Sequence, residues 1–565
     1  MSDTLLYDMS NKGVGTPNVF LKKETLSILS NQNGSYSGNS CVIDSSQLAN
    51  SNKYMDWKNG RLIVPLLLTL TSSTANKFDP NHADGSADHV LGLRNWYGSI
   101  FNSCAVDYNG ASVVSQQNLI PMWNTFKLMT TLSLGDIKTQ GATIGFYPDN
   151  ARSVSFFPAV SVNGIGTCNN SNLIAFPVVN EATPMESGND GFYKRQSYWN
   201  YDADGLSSTT ADASAFSTML TSVNAVSLYK SHVFNKFTCT AATGGVFQAQ
   251  ITSVVYLKHL HSFFGSLPLL KGAFFRIVLG LSQPSITFST DANKKITVAS
   301  INNPLGGVSP LQIASADGAN GSSTLPASCD FIASLCVGGK VINSTQSSQT
   351  SVQDGSIMKD ILLEVDAMTF NPVFEEAYLS ENVKTCEYED IYQYKVSNVG
   401  AGEVFSNLLT NGLSGIQTVL TLPFFTTTAN AGLNPIESPF CGEGSGTTSP
   451  LVHLSNFNVS IAGSKQLYSN TQYLYQSFLN NLKGFGSVNG DMTDGLTSGL
   501  ISQQDFETSY GYYVVNCGRQ LPVEEMIPKS VHIEGRNMSA KAIDLICFIS
   551  YKQTVKIDVL TGGRI

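Results

Sequence analysis

The closing stretch of the chain, YKQTVKIDVLTGGRI (Tyr551–Ile565), alternates Val555, Ile557 and Val559 with Lys556 and Asp558. A period of two puts the apolar side chains on one face of an extended strand and the charged ones on the other. Chain ends are poorly ordered unless something ties them down, so a strand in this place predicts a sheet that needs it. An echo of the pattern, DILLEVDAMTF (Asp360–Phe370), precedes a linking segment in mid-chain. The echo predicts two tandem all-β units, each finishing on a comparable strand.

Composition points the same way. The 565 residues are 42% hydrophobic but only 13% charged, where soluble proteins average about 25%. Ser, Thr, Asn, Gln and 48 glycines replace the missing charge, a mixture that suits strands and tight turns better than exposed helices. Weakly charged surfaces associate, so self-assembly is expected. The net charge of −9 argues against a broad face for nucleic acid. The small basic spots, Lys22–Lys23 and Lys58 with Arg61, read as solvated positions.

Working backwards from the C-terminus, strands are expected in AIDLICFISYKQTVKIDV, SVHIEG, ETSYGYYVVNCG, HLSNFNVSIAG and GIQTVLTLPFFTTT. Further strands are expected in GAFFRIVLGLS, FQAQITSVVYLKHL, GATIGFYP, FKLMTTLSL and RLIVPLLLTLTSS. Asn109-Gly110 inside WYGSIFNSCAVDYNGASVVSQQ (Trp96–Gln117) is a strong hairpin signal. One helix is expected after Asp212, with Phe216, Leu220, Val223 and Ser227 on its face. A second is expected from about Asn470, with Tyr475, Phe478, Leu479 and Leu482 as its face and Gly484 as its stop. Isolated helices among many strands decorate β-sandwiches rather than form βαβ crossovers. Residues 1–56 are polar and turn-rich, and read as an extended arm.

None of the ten cysteines forms a C-x-x-C pair or stands at zinc-finger spacing with a histidine, so buried thiols rather than a disulfide framework are expected. The N-terminus lacks the pattern of a signal peptide, and the longest apolar run, LIVPLLL, is far shorter than a membrane helix.

Catalytic signatures are missing. CVGGKVIN and GEGSGTT lack the spacing of a phosphate-binding loop or a nucleophile elbow. Neighbouring carboxylates at Glu375–Glu376 and Glu524–Glu525 point to opposite faces of a strand and suit a solvated surface. Two stretches are candidates for a metal. In KHLHSFF, His259 and His261 share a face if the segment is a strand, yet no third ligand is evident. FDPNHADGSADH offers Asp79, Asn81, Asp84, Asp88 and His89 in one loop, with oxygen ligands that suit calcium, but not in the order of an EF-hand loop. A hydrogen-bonded histidine pair and an ordinary polar loop are the favoured readings, so no metal, cofactor or catalytic residue is assigned.

Four stretches carry a resemblance: LRNWYGSIFNSCAVDYNGASVVSQQ, FKLMTTLS with DIKTQGATIGFYPD, VVYLKHLHSFFGSLPLLKGAFFRIVLGLSQ, and FNPVFEEAYLSENVKTCEYEDIYQYKV. Together they resemble the double jelly-roll major capsid proteins of icosahedral double-stranded DNA viruses, closest to the polinton-like virus and virophage branch. The resemblance spans about Arg61 to the C-terminus and rests on the order and number of its pieces. It implies two tandem eight-stranded antiparallel jelly rolls with short decorating helices, over residues 57–382 and 383–565, behind an extended arm of residues 1–56. DILLEVDAMTF would be the last strand of the first roll and EYEDIYQYKV would open the second. The C-terminal strand would then close the second roll, which is why a sheet pattern stands there.

The implied function is structural, not enzymatic. Three copies would form a homotrimeric pseudo-hexagonal capsomer that tiles a shell around a double-stranded DNA genome. Its partners would be neighbouring capsomers, penton and minor capsid proteins, without sequence-specific nucleic-acid binding or a transmembrane segment. It would reside in the virion after synthesis in the host cytoplasm or nucleus. The Gly/Ser/Asn-rich stretches 150–210, 302–357 and 426–450 would be loops, some forming an outer tower and some clasping neighbours, and the arm would run under the shell. The competing readings are a carbohydrate- or receptor-binding β-sandwich of spike or lectin type, which needs an exposed aromatic platform, and a glycan-active enzyme, which needs paired carboxylates. Trp57, Trp96, Trp123 and Trp199 are the four tryptophans such a platform could use.

Overall fold

The computed structural model describes residues 18–149, 236–338 and 360–564, together with Gly191 and Arg195. Excepted within those ranges are 31, 33–35, 37, 73–76, 80–88, 241–245, 291–295, 316–329, 431, 440–447, 450–451, 468–471, 483–497 and 518–525. The first half carries strands β1 (Phe20–Leu29), β2 (Ser40–Asp44), β3 (Tyr54–Ser72), β4 (Lys77–Asp79), β5 (His89–Leu93), β6 (Phe101–Tyr108) and β7 (Ala111–Gln117). It continues with β8 (Lys236–Thr240), β9 (Val246–Tyr256), β10 (Phe275–Leu281), β11 (Ser285–Thr290), β12 (Ile296–Asn302), β13 (Leu311–Ser315), β14 (Asp330–Val337) and β15 (Leu362–Phe370). The second half carries β16 (Val383–Val399), β17 (Val404–Leu413), β18 (Ile416–Phe425), β19 (Leu454–Ile461), β20 (Ser464–Lys465), β21 (Tyr513–Asn516), β22 (Lys529–Asn537) and β23 (Ile543–Asp558). The helices are α1 (Ser46–Ala49), α2 (Ile120–Thr131), α3 (Leu134–Ile144), α4 (Leu257–Leu260), α5 (Ser262–Ser266), α6 (Pro372–Leu379), α7 (Tyr475–Leu482) and α8 (Gln503–Thr508).

Strand order defines the architecture. The second half forms two four-stranded sheets, β16-β23-β18-β21 and β17-β22-β19-β20. Counted along the chain, that order is first-eighth-third-sixth and second-seventh-fourth-fifth, with the paired strands antiparallel. The first half repeats it: β1-β15-β3 with β9 on the other edge of β3, and β2-β10-β6-β7. This wrapping of an antiparallel ribbon into two facing sheets is the jelly roll. The chain is therefore a tandem pair of jelly rolls, all-β apart from short helices.

The rolls differ in what is inserted between their strands. Both interrupt the chain between the third and fourth strands and between the fifth and sixth; only the first has a large insertion between the seventh and eighth, from Ser282 to Ile361. The 19-residue β3 outruns its partner β15 and pairs beyond it with β14, which continues into β11 and β12. Strands from three separate insertions then assemble a further small sheet, β13-β5-β8-β4.

Several expectations need correction. Within the arm expected over residues 1–56, Phe20–Leu29 and Ser40–Asp44 are sheet strands: β1 pairs along β15, and β2 pairs with β10. Both lie at sheet edges, and an edge strand with exposed residues carries few of the apolar positions that make a strand recognisable. FKLMTTLSL is largely helical, within α2, and the first half of GATIGFYP ends α3. Helix α2 is buried on nearly every side, which erases the one-sided pattern that marks a surface helix. Helix α3 announces itself through a capping box, Ser133 with Asp136. The stretch 302–357 contains β13 and β14 rather than loop alone. Helix α7 begins at Tyr475, later than expected, and buries Phe478 and Leu482. The helix expected after Asp212 lies outside the described residues. At the β6–β7 hairpin, Asn109 (φ 47°) and Gly110 (φ 81°) are both left-handed, as the favoured two-residue turn requires.

The buried apolar residues of both rolls form one continuous cluster. Cys41, Cys104, Cys386 and Cys547 are buried free thiols within it. Burial pushes the Cys104 and Cys547 thiols up to about 12, so they remain protonated and inert.

Candidate functional site: the seam between the two rolls

The polar chemistry of the described structure concentrates where the rolls meet. Strand β16 is the edge of its sheet and lies against α5 and β7 of the first roll. Alternation places Tyr388 and Asp390 on one face of β16 and Glu389 on the other, and all three engage the first roll. The Tyr388 hydroxyl donates to the Val113 carbonyl of β7 at 2.6 Å, and its ring packs edge-on against Phe263. The Glu389 amide donates to the Ser262 hydroxyl at 3.0 Å, while its carboxylate pairs with Lys127 of α2 at 2.8 Å.

Asp390 is the centre. It is 4% exposed, and a buried carboxylate is costly unless donors surround it. Tyr551 of β23 donates to its Oδ2 at 2.9 Å, and the Ile391 amide and the Gln117 side-chain Nε2 donate to Oδ1. His261 Nε2 stands 3.5 Å from the same oxygen. The Phe263 amide donates to His261 Nδ1 at 3.2 Å, so Nδ1 is the accepting nitrogen and Nε2 is the one turned to the carboxylate. Burial, with the Asp390 charge second, holds the Tyr551 hydroxyl protonated well above the usual phenol range. With donors on both oxygens, Asp390 is built to fasten rather than to react.

The second anchorage is the tail after β23. The Asp558 amide donates to the Gly563 carbonyl, folding the chain back. Tyr108 and the Asn109 side chain of the β6–β7 hairpin then both donate to the Gly562 carbonyl, and the Lys271 amide donates to the Val559 carbonyl at 3.0 Å. Gly562 (φ +67°) lies so close to Ala273 that a Cβ there would stand 2.6 Å from the Ala273 nitrogen; no other residue fits. A third anchorage joins the insertions: the Ser309 and Ile313 amides donate to the carbonyls of Ile436 and Pro439, and Arg94 donates to the Ser438 carbonyl.

The sequence candidates fall as follows. His259 and His261 do not share a strand face, because β9 ends at Tyr256 and the two lie on and just beyond the short helix α4. His259 sits between the rings of Trp96 and Tyr256, away from the surroundings of His261. Asp79 ends β4, while Asn81, Asp84 and Asp88 lie outside the described residues. Among the described residues, no three His, Cys, Asp or Glu side chains gather as a metal site would require. Trp57, Trp96 and Trp123 are buried, so they form no exposed sugar platform; Trp199 lies outside the described residues. Lys22, Lys23 and Arg61 pair with Glu24, Asp366 and Glu364. Sequence reasoning missed Asp390, Gln117 and Tyr551, which come from three distant segments; the faint signal was an aspartate at an inward position of an otherwise apolar row on β16.

No protein-family model matches the chain, and no curated protein matches it in sequence. Among solved structures, the chain is similar to a chain in the cryo-EM structure of the Sputnik virophage, with 11% identity and a TM-score of 0.47 over 98% of this chain and 89% of that one. It is also similar to the Faustovirus major capsid protein, with 10% identity and a TM-score of 0.38 over 97% and 94% of the two chains. For the mavirus major capsid protein the identity is 8% and the TM-score 0.37, over 98% and 90%. The fold itself is given by strand order: two jelly rolls in tandem, locked together through Asp390.

Proposed function

We propose that this chain is the shell-forming subunit of an icosahedral virus particle with a double-stranded DNA genome. It assembles as a homotrimer whose six rolls make a pseudo-hexagonal tile. The observation that carries the reading is the exact repeat of one strand order in both halves of the chain. Two similar bodies per chain turn three-fold symmetry into approximate six-fold shape, and hexagonal tiles cover a surface. Closed cyclic assemblies are the common outcome for homo-oligomers.

Other features support it. Apolar side chains stand exposed on edge strands, including Val404 and Leu408 on β17 and Leu21 on β1, where a neighbouring copy would cover them. No helix among the described residues is long and apolar enough to cross a membrane. Penton and minor capsid proteins would be its other partners, the virion its location, and the host cytoplasm or nucleus its place of synthesis.

Light scattering at low and high concentration tests the proposal. Three subunits of 60.7 kDa give a trimer of 3 × 60.7 = 182.1 kDa. A concentration-independent trimer that packs into hexagonal arrays under the electron microscope is expected; a stable monomer would overturn the reading.

A further inference from the structure

The first-eighth-third-sixth sheet occurs once in each roll, in two different surroundings. In the second roll its outer face is covered. The register row Gln393–Phe548–Leu420–Val514 crosses all four strands there, and Phe548, Leu420 and Val514 are buried. Tyr513, one residue before Val514, points the other way and meets Phe457 of the facing sheet, so the row is on the outside. Helix α2 of the first roll lies over this face, with the Trp123 ring 6.0 Å from Phe548 and the Phe126 ring edge-on to Tyr512 at 5.3 Å.

The first roll carries the counterpart row, Leu29–Leu362–Ile63–Val254, across β1, β15, β3 and β9. The preceding Ile28 and Leu62 are buried in the core, so this row also faces out. All four side chains are apolar, yet Leu29 is 55% exposed and the other three are half-buried. The edge strands differ in the same sense. β16 is fastened to the first roll through Tyr388, Glu389 and Asp390, whereas its counterpart β1 leaves Leu21 63% exposed as well as Leu29.

Resting on the reading of this chain as a shell subunit, we infer that the row Leu29–Leu362–Ile63–Val254 is where the second roll of another copy docks. It repeats between copies the step that joins the two rolls within one.

The repeat identifies the occupant. The step from first to second roll is head-to-tail: one roll gives α2 and the other gives the outer face of its sheet. A head-to-tail contact leaves one sheet face unused at the start of each chain, and a ring closes when the last body of a neighbouring chain meets it. The unused face is on the first roll, so the body that meets it is a second roll. The row has the build of such a contact. Its centre is apolar, and the next register row holds Arg61 and Glu364 paired at 2.7 Å, a neutralised polar rim around a core that excludes water.

The test uses the full-length protein and two substitutions of opposite charge, Leu29→Glu and Leu29→Lys, at an exposed position of an edge strand. Both are expected to weaken association at least about tenfold, moving the mass in light scattering towards the 60.7 kDa of one chain while the circular dichroism spectrum stays that of the wild type. Val373→Glu, on a 72% exposed residue of α6 at the other end of β1, is expected to remain a trimer. Hydroxyl-radical footprinting of the unmutated trimer gives a second reading: Leu29 is expected to be oxidised several-fold more slowly than Val373. A wild-type trimer that survives both Leu29 substitutions, or that oxidises Leu29 as fast as Val373, would overturn this docking surface and leave the shell reading standing. So would Leu29 variants that form trimers but no hexagonal arrays, which would place the row between tiles. A wild-type monomer would overturn both.

Discussion

Tyr551 and Asp390 are register partners across the β16–β23 pair, and the Tyr551 hydroxyl donates to Asp390 Oδ2 at 2.9 Å. The closing strand of the second roll thus holds in place the carboxylate to which the first roll is fastened. Completion of one sheet and docking of two domains are the same event at this point. Folding and inter-roll attachment should therefore lose stability together.

Replacing Asp390 with Ala leaves Gln117 Nε2, His261 and the Tyr551 hydroxyl buried without their acceptor. The expected cost is about 3–5 kcal/mol, read as a lowered urea midpoint. Tyr551→Phe removes one bond to a charged group and should cost about 1.5–3 kcal/mol. If Tyr551→Phe proved as damaging as Asp390→Ala, the carboxylate would not be the centre of the cluster.

Arg195 is 1% exposed and pairs with Asp149, while its remaining donors reach the Leu93 and Tyr147 carbonyls and the Gln312 side chain. Arg195→Ala strands a buried aspartate and should destabilise by about 3–5 kcal/mol. Lysine has no planar fork to reach several acceptors, so Arg195→Lys should not restore the wild-type melting temperature. Full restoration would remove the case for a multi-sided anchor.

Acid should loosen the first roll through His259. Burial, aided by the neighbouring Lys258 charge, lowers its pKa from 6.5 to about 4. A histidine whose folded pKa is depressed stabilises the fold fully above its unfolded value, because the native state prefers the neutral ring. That contribution is lost as pH falls from about 6.5 towards 4, where the unfolded chain binds the proton first. His259→Phe, between Trp96 and Tyr256, should flatten the stability profile across this window. An unchanged slope would assign the acid sensitivity to other groups.

At the β6–β7 turn, Gly110 has a φ of 81° and no neighbouring atom that a Cβ would meet. Gly110→Val therefore acts through backbone strain alone, at about 1–2 kcal/mol. Asn109→Ala should cost more than the turn accounts for, because its side chain also accepts from the Phe274 amide and donates to Gly562 of the tail. Hydrogen exchange at Val559–Gly563 distinguishes the two: it should rise in Asn109→Ala and stay near wild type in Gly110→Val.

The sequence by itself determined the strand-rich class, the Asn109-Gly110 hairpin and the strands β15, β18, β22 and β23. Those segments pack side chains against a core, and local alternation or apolar runs report burial directly. Tertiary structure decided what local pattern cannot encode. β1 and β2 are strands because β15 and β10 offer them partners, although their residues 20–29 and 40–44 look like those of an arm. Helix α2 is buried on nearly every side, so the pattern that would have named it is gone. The seam was hidden for a deeper reason. Gln117, Asp390 and Tyr551 are 273 and 161 residues apart along the chain; the jelly-roll wrapping, with its first strand laid against its eighth, brings Tyr551 to Asp390, and the docking of the two rolls brings Gln117.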